Sequence, residues 1–225
     1  MDRRGCVIVV PHYDDEILQA GSFLVGYAGP LLLVFTHQGD VLTCDENNDE
    51  YGMYMEADER IGAYRKEKGF GPVHSVSDIQ NGDRLSVLHI VEAALRSFEQ
   101  VDYFVSSLRT GHQSHTESSE ICMSALRNDM LLRTRCVLQA PYPALTFGCT
   151  SHSIDDTYYT SFMPMEETAF GILHDCIRVD YKEKCWMGAT ADADAFKLSC
   201  EFYGRKAGFK YAMPFSSRKI ILGEQ

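Results

Sequence analysis

Short apolar runs recur along the chain at Val7 to Val10, Leu31 to Phe35, Val73 to Val76, Tyr103 to Val105 and Cys136 to Leu138. Each has the length of a strand, and the segments between them carry helical period. The clearest helix runs from Leu85 to Phe98, where Leu88, Val91, Leu95 and Phe98 recur at three- and four-residue steps and form one apolar stripe. Strand and helix in alternation predict right-handed crossovers and a mostly parallel sheet covered on both faces. The expected fold is therefore α/β, a Rossmann-like sheet flanked by helices. No repeat, low-complexity tract or Pro/Gly/Ser linker marks a boundary, so residues 1–225 read as a single domain. Ligands in such sheets collect at the carboxyl ends of the strands. The loops to inspect begin at Pro11, Thr36, Asp78, Ser107 and Pro141.

Composition narrows the partners. With 32 acidic against 21 basic residues the formal charge is -11, which repels phosphate backbones, so no nucleic-acid polymer is expected. The apolar run after Met1 to Gly5 is too short for a signal-peptide core or a membrane span, which points to a cytoplasmic protein without a membrane partner. The eight cysteines are scattered with no CxxC pair and read as free thiols. No GxGxxG or Walker pattern is present, which counts against NAD or ATP.

Directly after the first strand the chain reads Pro11-His12-Tyr13-Asp14-Asp15-Glu16, and helical spacing resumes at Ile17 and Leu18. Three carboxylates in a first helical turn have an ordinary explanation, because the free N–H groups and the helix dipole favour negative charge there. His12 opens a second one. An imidazole three residues before a carboxylate, in a loop at the end of a leading strand, can share a zinc ion with it, and a catalytic zinc keeps three protein ligands and an open position. The fourth strand ends near Gly111-His112-Gln113-Ser114-His115, on the same rim of the expected sheet, where two further histidines can supply the missing ligand.

His12-Tyr13-Asp14-Asp15-Glu16 after an apolar strand resembles the HPDDE motif of the LmbE-like, or PIG-L, family of zinc N-acetylglucosaminyl deacetylases. Gly111 to His115 is similar to that family's second motif, HPDH or HQDH. Leu33-Val34-Phe35-Thr36 followed by Gly39-Asp40 looks like its second strand and Thr/Gly/acid loop, and Asp78 falls where a loop aspartate is expected. The resemblance runs from about residue 6 to 120. It implies that His12, Asp15 and His115 ligate Zn2+, that Asp14 is the general base, and that His112 stabilises the oxyanion or assists protonation. It also implies that Asp78 and an arginine in the helix after the second strand contact the sugar; Arg60 and Arg65 both lie near the expected position, and Arg60 is the one favoured. The division between Asp14 and Asp15 has a physical reason: a carboxylate beside a metal but not bound to it can accept a proton from water acidified by the ion.

Two departures stand out. Tyr13 replaces the family's proline, and Ser114 stands where the family has an aspartate that would charge and orient the neighbouring histidine. The activity implied is removal of an N-acetyl group from an N-acetylglucosamine-type amino sugar or its conjugate. The alternatives are an amidase acting on a larger sugar conjugate, or a sugar-binding relative without catalysis. The partner expected is a small N-acetylated molecule, and the pattern is silent on oligomeric state. His37, His74, His89, His152 and His174 have no partner at a ligand spacing and read as surface or structural histidines. The acidic run Asp40 to Glu50 reads as a solvated loop on the catalytic rim, and Tyr158, Tyr159, Phe162 and Trp186 as core aromatics or a stacking platform for a sugar ring.

Overall fold

A computed structural model describes residues 2–37, 50–76, 83–108, 113–127, 132–141, 159–181 and 193–220. Strands β1 (Asp2–Val10), β2 (Leu31–Phe35), β3 (Val73–Val76), β4 (Phe98–Ser107) and β5 (Thr134–Ala140) are those expected from the apolar runs, with β2 and β3 matching them end to end and β1, β4 and β5 running longer. All neighbours among these five pair in parallel. Two further strands, β6 (Ser161–Met165) and β7 (Tyr211–Ile220), join antiparallel, giving one mixed sheet in the order β3-β2-β1-β4-β5-β7-β6. Both carry a proline, Pro164 and Pro214, which blurs the strand signal; a sheet tolerates Pro best near an edge, where β6 lies.

The helices are α1 (Asp15–Gly26), α2 (Glu50–Glu67), α3 (Arg84–Arg96), α4 (Gln113–Ala125), α5 (Glu167–Asp175), continued by a π-helical turn (Cys176–Asp180), and α6 (Ala193–Ala207). They cover both faces of the sheet. Along β1 the side chains alternate: Cys6, Ile8 and Val10 pack into the larger core with α1, α2, α5 and α6, whereas Val7 and Val9 join the smaller core with α3 and α4. Period-two geometry applied to a continuous apolar strand produces this division. The five cysteines among the described residues, Cys6, Cys122, Cys136, Cys176 and Cys200, are free thiols, four of them buried. No helix among the described residues is long and apolar enough to cross a membrane.

The apolar stripe from Leu85 needs one correction. The Asp83 side chain accepts a hydrogen bond from the Ser86 amide at 2.8 Å and starts α3, but the helix ends at Arg96 and Phe98 opens β4 instead. There the Phe98 ring lies against β1 so closely that a Cβ on Gly5 would come within 2.1 Å of it. The phenyl ring is buried in the strand, and an apolar residue at helical spacing carries the same signal, so periodicity alone could not place it.

Arg65 knits the loops on the opposite end of the sheet. It is 2% exposed, and its guanidinium donates to the carbonyls of Leu24, Tyr27, Gly29 and Gly71 at 2.6 to 3.0 Å. An always-charged planar fork fits several carbonyls converging at once, which a lysine could not match.

Candidate metal centre

Strand β1 leads straight into the site. Backbone pairing persists past the strand ends, with Thr36 N–H donating to Val10 O at 3.0 Å and His37 N–H to Pro11 O at 2.9 Å. The chain then turns through Asp14, the one non-glycine described residue with positive φ (94°), and enters α1. Such a conformation is strained for a residue with a Cβ, and Asp tolerates it better than most. The Asp14 carbonyl accepts from the amides of Ile17 and Leu18 at 3.0 Å, but its side chain makes no capping bond. Helix capping therefore does not account for this acid.

Asp15 and Glu16 are each 1% exposed and are used differently. Asp15 turns to the histidines: its Oδ2 lies 3.2 Å from His12 Nδ1 and 3.6 Å from His115 Nε2, and it also accepts the His12 amide at 3.1 Å. His115 comes from the first turn of α4, which follows β4. Because β4 lies beside β1 and parallel to it, both strands end on one rim. One donor atom from each of His12, Asp15 and His115 falls within 4.8 Å of the others. Bonds of about 2.1 Å to a shared ion separate ligand atoms by roughly 3 to 4 Å, so two sides of the triangle already suit zinc, and two nitrogens with one carboxylate oxygen suit its chemistry. The Asp15 and His115 side chains are 2% exposed and that of His12 is 27% exposed, so the site opens to solvent past His12. Burial opposes the charge on Asp15, but His115 and His12 outweigh it and hold the carboxyl below its usual value.

Glu16 points the other way. It accepts the Tyr181 hydroxyl and, at 2.7 Å, the amide of Asp14, while Tyr181 Oη also receives that amide at 3.2 Å. The strained turn is thus held by a residue 167 positions downstream. Burial pushes the Glu16 carboxyl up to about 7, against the opposing pull of the Tyr181 and Asp14 bonds.

The remaining expectations divide. Ser114 is buried in the first turn of α4 beside His115. Arg60 is gripped by Asp180 of the π-helical turn in a two-pronged pair of 2.7 Å bonds. Asp78 and His112 lie outside the described residues, as does His152. Tyr159 and Phe162 both pack on Tyr203, with ring centroids 5.4 and 6.3 Å away, while Tyr158 and Trp186 lie outside the described residues. His37, read from spacing as an unpartnered histidine, stands at the site: its ring lies 6.0 Å from that of His12, Nδ1 is 3.0 Å from Thr36 Oγ1 and Nε2 3.3 Å from Glu117 Oε2. Its position one strand over from His12 was the available signal, since neighbouring parallel strands end on the same rim. Gln19 was also missed, although it sits four residues after Asp15 on α1 and so on the same helical face.

No protein-family model matches the sequence, and no curated protein sequence matches it. Solved structures do. The N,N'-diacetylchitobiose deacetylase from Pyrococcus horikoshii superimposes with a TM-score of 0.61 at 14% identity, covering 96% of this chain and 83% of that one. The 4-carboxy-2-hydroxymuconate hydratase from Pseudomonas putida KT2440 gives 0.66 at 14% identity, covering 99% of both chains. A zinc-inhibited form of the teicoplanin deacetylase Orf2 gives 0.58 at 11% identity, covering 95% of this chain and 97% of that one. At these identities the likeness speaks for architecture, and a hydratase shares it. The chain shares its α/β fold with these deacetylases and with this hydratase.

Proposed function

We propose that this protein is a zinc-dependent amide hydrolase that removes an N-acetyl group from an N-acetylglucosamine-type amino sugar or its conjugate. The observation that carries the reading is the convergence of His12, Asp15 and His115 on one rim, with a second carboxylate, Asp14, next in sequence to the ligand carboxylate. Structural neighbours named as deacetylases of diacetylchitobiose and of the teicoplanin pathway support it.

His12 Nδ1, Asp15 Oδ2 and His115 Nε2 would hold the ion, which when bound would polarise the amide carbonyl and acidify water beside it. Asp14 accepts the proton of the attacking water and returns it to the departing amine, so that the amine leaves neutral. Glu16 and Tyr181, by holding the Asp14 amide, keep that residue in its turn. His112 donates a hydrogen bond to the oxyanion. Asp78 and Arg60 contact the sugar hydroxyls; for Arg60 such a contact competes with its pair to Asp180.

The test combines metal analysis of the purified protein with a screen of N-acetylated sugars that reads released acetate and free amine, because the fold alone does not separate a deacetylase from a hydratase. Zinc at one equivalent with acetate release that disappears on chelation is the expected result. Stoichiometric zinc without acetate release from any N-acetyl sugar or conjugate would refute the activity while leaving the metal site in place.

A further inference from the structure

One polar side chain behind the metal cluster has no place in the chemistry described so far. Gln19 is 1% exposed on α1, a helix buried at every residue from Asp15 to Val25. An amide in such surroundings is costly unless its hydrogen-bonding capacity is used. Here it is used directionally. The buried Ser107 hydroxyl, at the end of β4, donates to Gln19 Oε1 at 2.6 Å; Gln19 Nε2 donates to Asp15 Oδ1 at 2.6 Å and lies 3.1 Å from His115 Nδ1.

These bonds divide the two oxygens of Asp15. Oδ1 accepts from Gln19, while Oδ2 is the oxygen that lies 3.2 Å from His12 Nδ1 and 3.6 Å from His115 Nε2. A carboxylate free of such a partner can bind a metal through one oxygen or through both. Asp15 sets the sense of the amide, since turning it over would bring Oε1 against Asp15 Oδ1, oxygen to oxygen; the Ser107 hydroxyl, able to donate or accept, then donates to Oε1 and anchors it. A histidine that ligates through Nε2 carries its proton on Nδ1. Gln19 then gives up the longer contact, to His115, and keeps the shorter one to Asp15.

We propose, resting on the zinc reading above, that Gln19 is a positioning residue of the metal centre. With Ser107 behind it, it holds Asp15 as a one-oxygen ligand, which leaves positions on the ion for water and substrate. Neither residue touches the reacting atoms in this scheme.

The experiment titrates Zn2+ and, separately, Co2+ into metal-free wild-type protein, Gln19→Leu and Ser107→Ala, with circular dichroism establishing that each is folded. Ser107→Ala keeps the amide and its packing while removing the hydroxyl that anchors its oxygen, so it stands if Gln19→Leu fails to fold. Cobalt in a low-coordinate site absorbs visible light strongly, and added carboxylate coordination weakens the band. In folded Gln19→Leu the cobalt band should fall and zinc affinity should weaken by about 10- to 100-fold, the usual scale for partners of metal ligands. Ser107→Ala should move both in the same direction by less. Wild-type spectrum and wild-type affinity in the folded variants overturn the proposal and spare the zinc site. Failure of the wild-type protein itself to take up either metal overturns the zinc reading, and the proposal with it.

Discussion

Glu16 makes the stability of this protein depend on pH in a direction opposite to that of most carboxylates. Its carboxyl is 1% exposed, and its bonds come from the Tyr181 hydroxyl and the Asp14 amide, both neutral donors. Burial wins over those bonds and raises the carboxyl from 4.5 to about 7. The folded state therefore holds this proton longer than the unfolded chain does. Stability from the group is complete below about pH 4.5 and is lost as pH rises toward and through 7, because the unfolded chain ionises first. The span from 4.5 to about 7, at about 1.4 kcal/mol per pH unit, corresponds to a loss of about 3 kcal/mol, most of it between pH 5 and 8. Glu16→Gln keeps the shape and an acceptor oxygen but cannot ionise. The assay is urea unfolding of metal-free wild-type and Glu16→Gln protein across that range, taking the difference at each pH so that other titrating groups cancel. Wild-type stability should fall relative to Glu16→Gln by roughly 2 to 3 kcal/mol from pH 5 to 8. A difference that stays level, or that rises with pH, would show that the two donors keep the carboxylate charged throughout and that burial has been overweighted.

Asp14→Asn should keep the metal content of wild type while lowering turnover by on the order of 10² or more, and His115→Ala should lose zinc; both are read by metal analysis beside acetate release. Loss of zinc by Asp14→Asn with activity retained in metal-restored protein would reverse the roles of Asp14 and Asp15. Arg65→Met should destabilise the fold by at least about 3 kcal/mol in urea unfolding, because four carbonyls lose a charged donor at once. Gly5→Ala should cost about 1 to 3 kcal/mol in the same assay, since the new methyl would meet the Phe98 ring at 2.1 Å; an unchanged midpoint would mean that β4 gives way freely.

Much of this molecule was legible from residue order. Five parallel strands announce themselves as apolar runs because a strand buried on both faces needs no polar alternation, and the rule that ligands gather at strand ends then points to the loops holding His12 to Glu16 and His112 to His115; the resemblance to the LmbE-like motifs singles out His12, Asp15 and His115 within them. His12 and Asp15 are local to one turn, so their spacing carries the information. His115 was marked by the resemblance of Gly111 to His115 to the family's second motif, whereas its meeting with His12 and Asp15 follows from β1 and β4 being neighbours in the sheet.

What lay beyond the sequence were the pairings whose partners are far apart along the chain. Arg60 and Arg65 look alike in sequence, five residues apart on α2, yet one meets Asp180 and the other four carbonyls, because the packing of α2 against the π-helical turn and the loops decides which group each can reach. Tyr181 reaches Asp14, Ser107 reaches Gln19 and Phe98 reaches Gly5 only after the sheet has assembled. Periodicity reports how a residue relates to neighbours within a few positions, and it marks a side chain as buried without saying against what. The partner is set when distant elements pack at close contact, where a buried polar atom must find whichever donor or acceptor the fold has brought beside it.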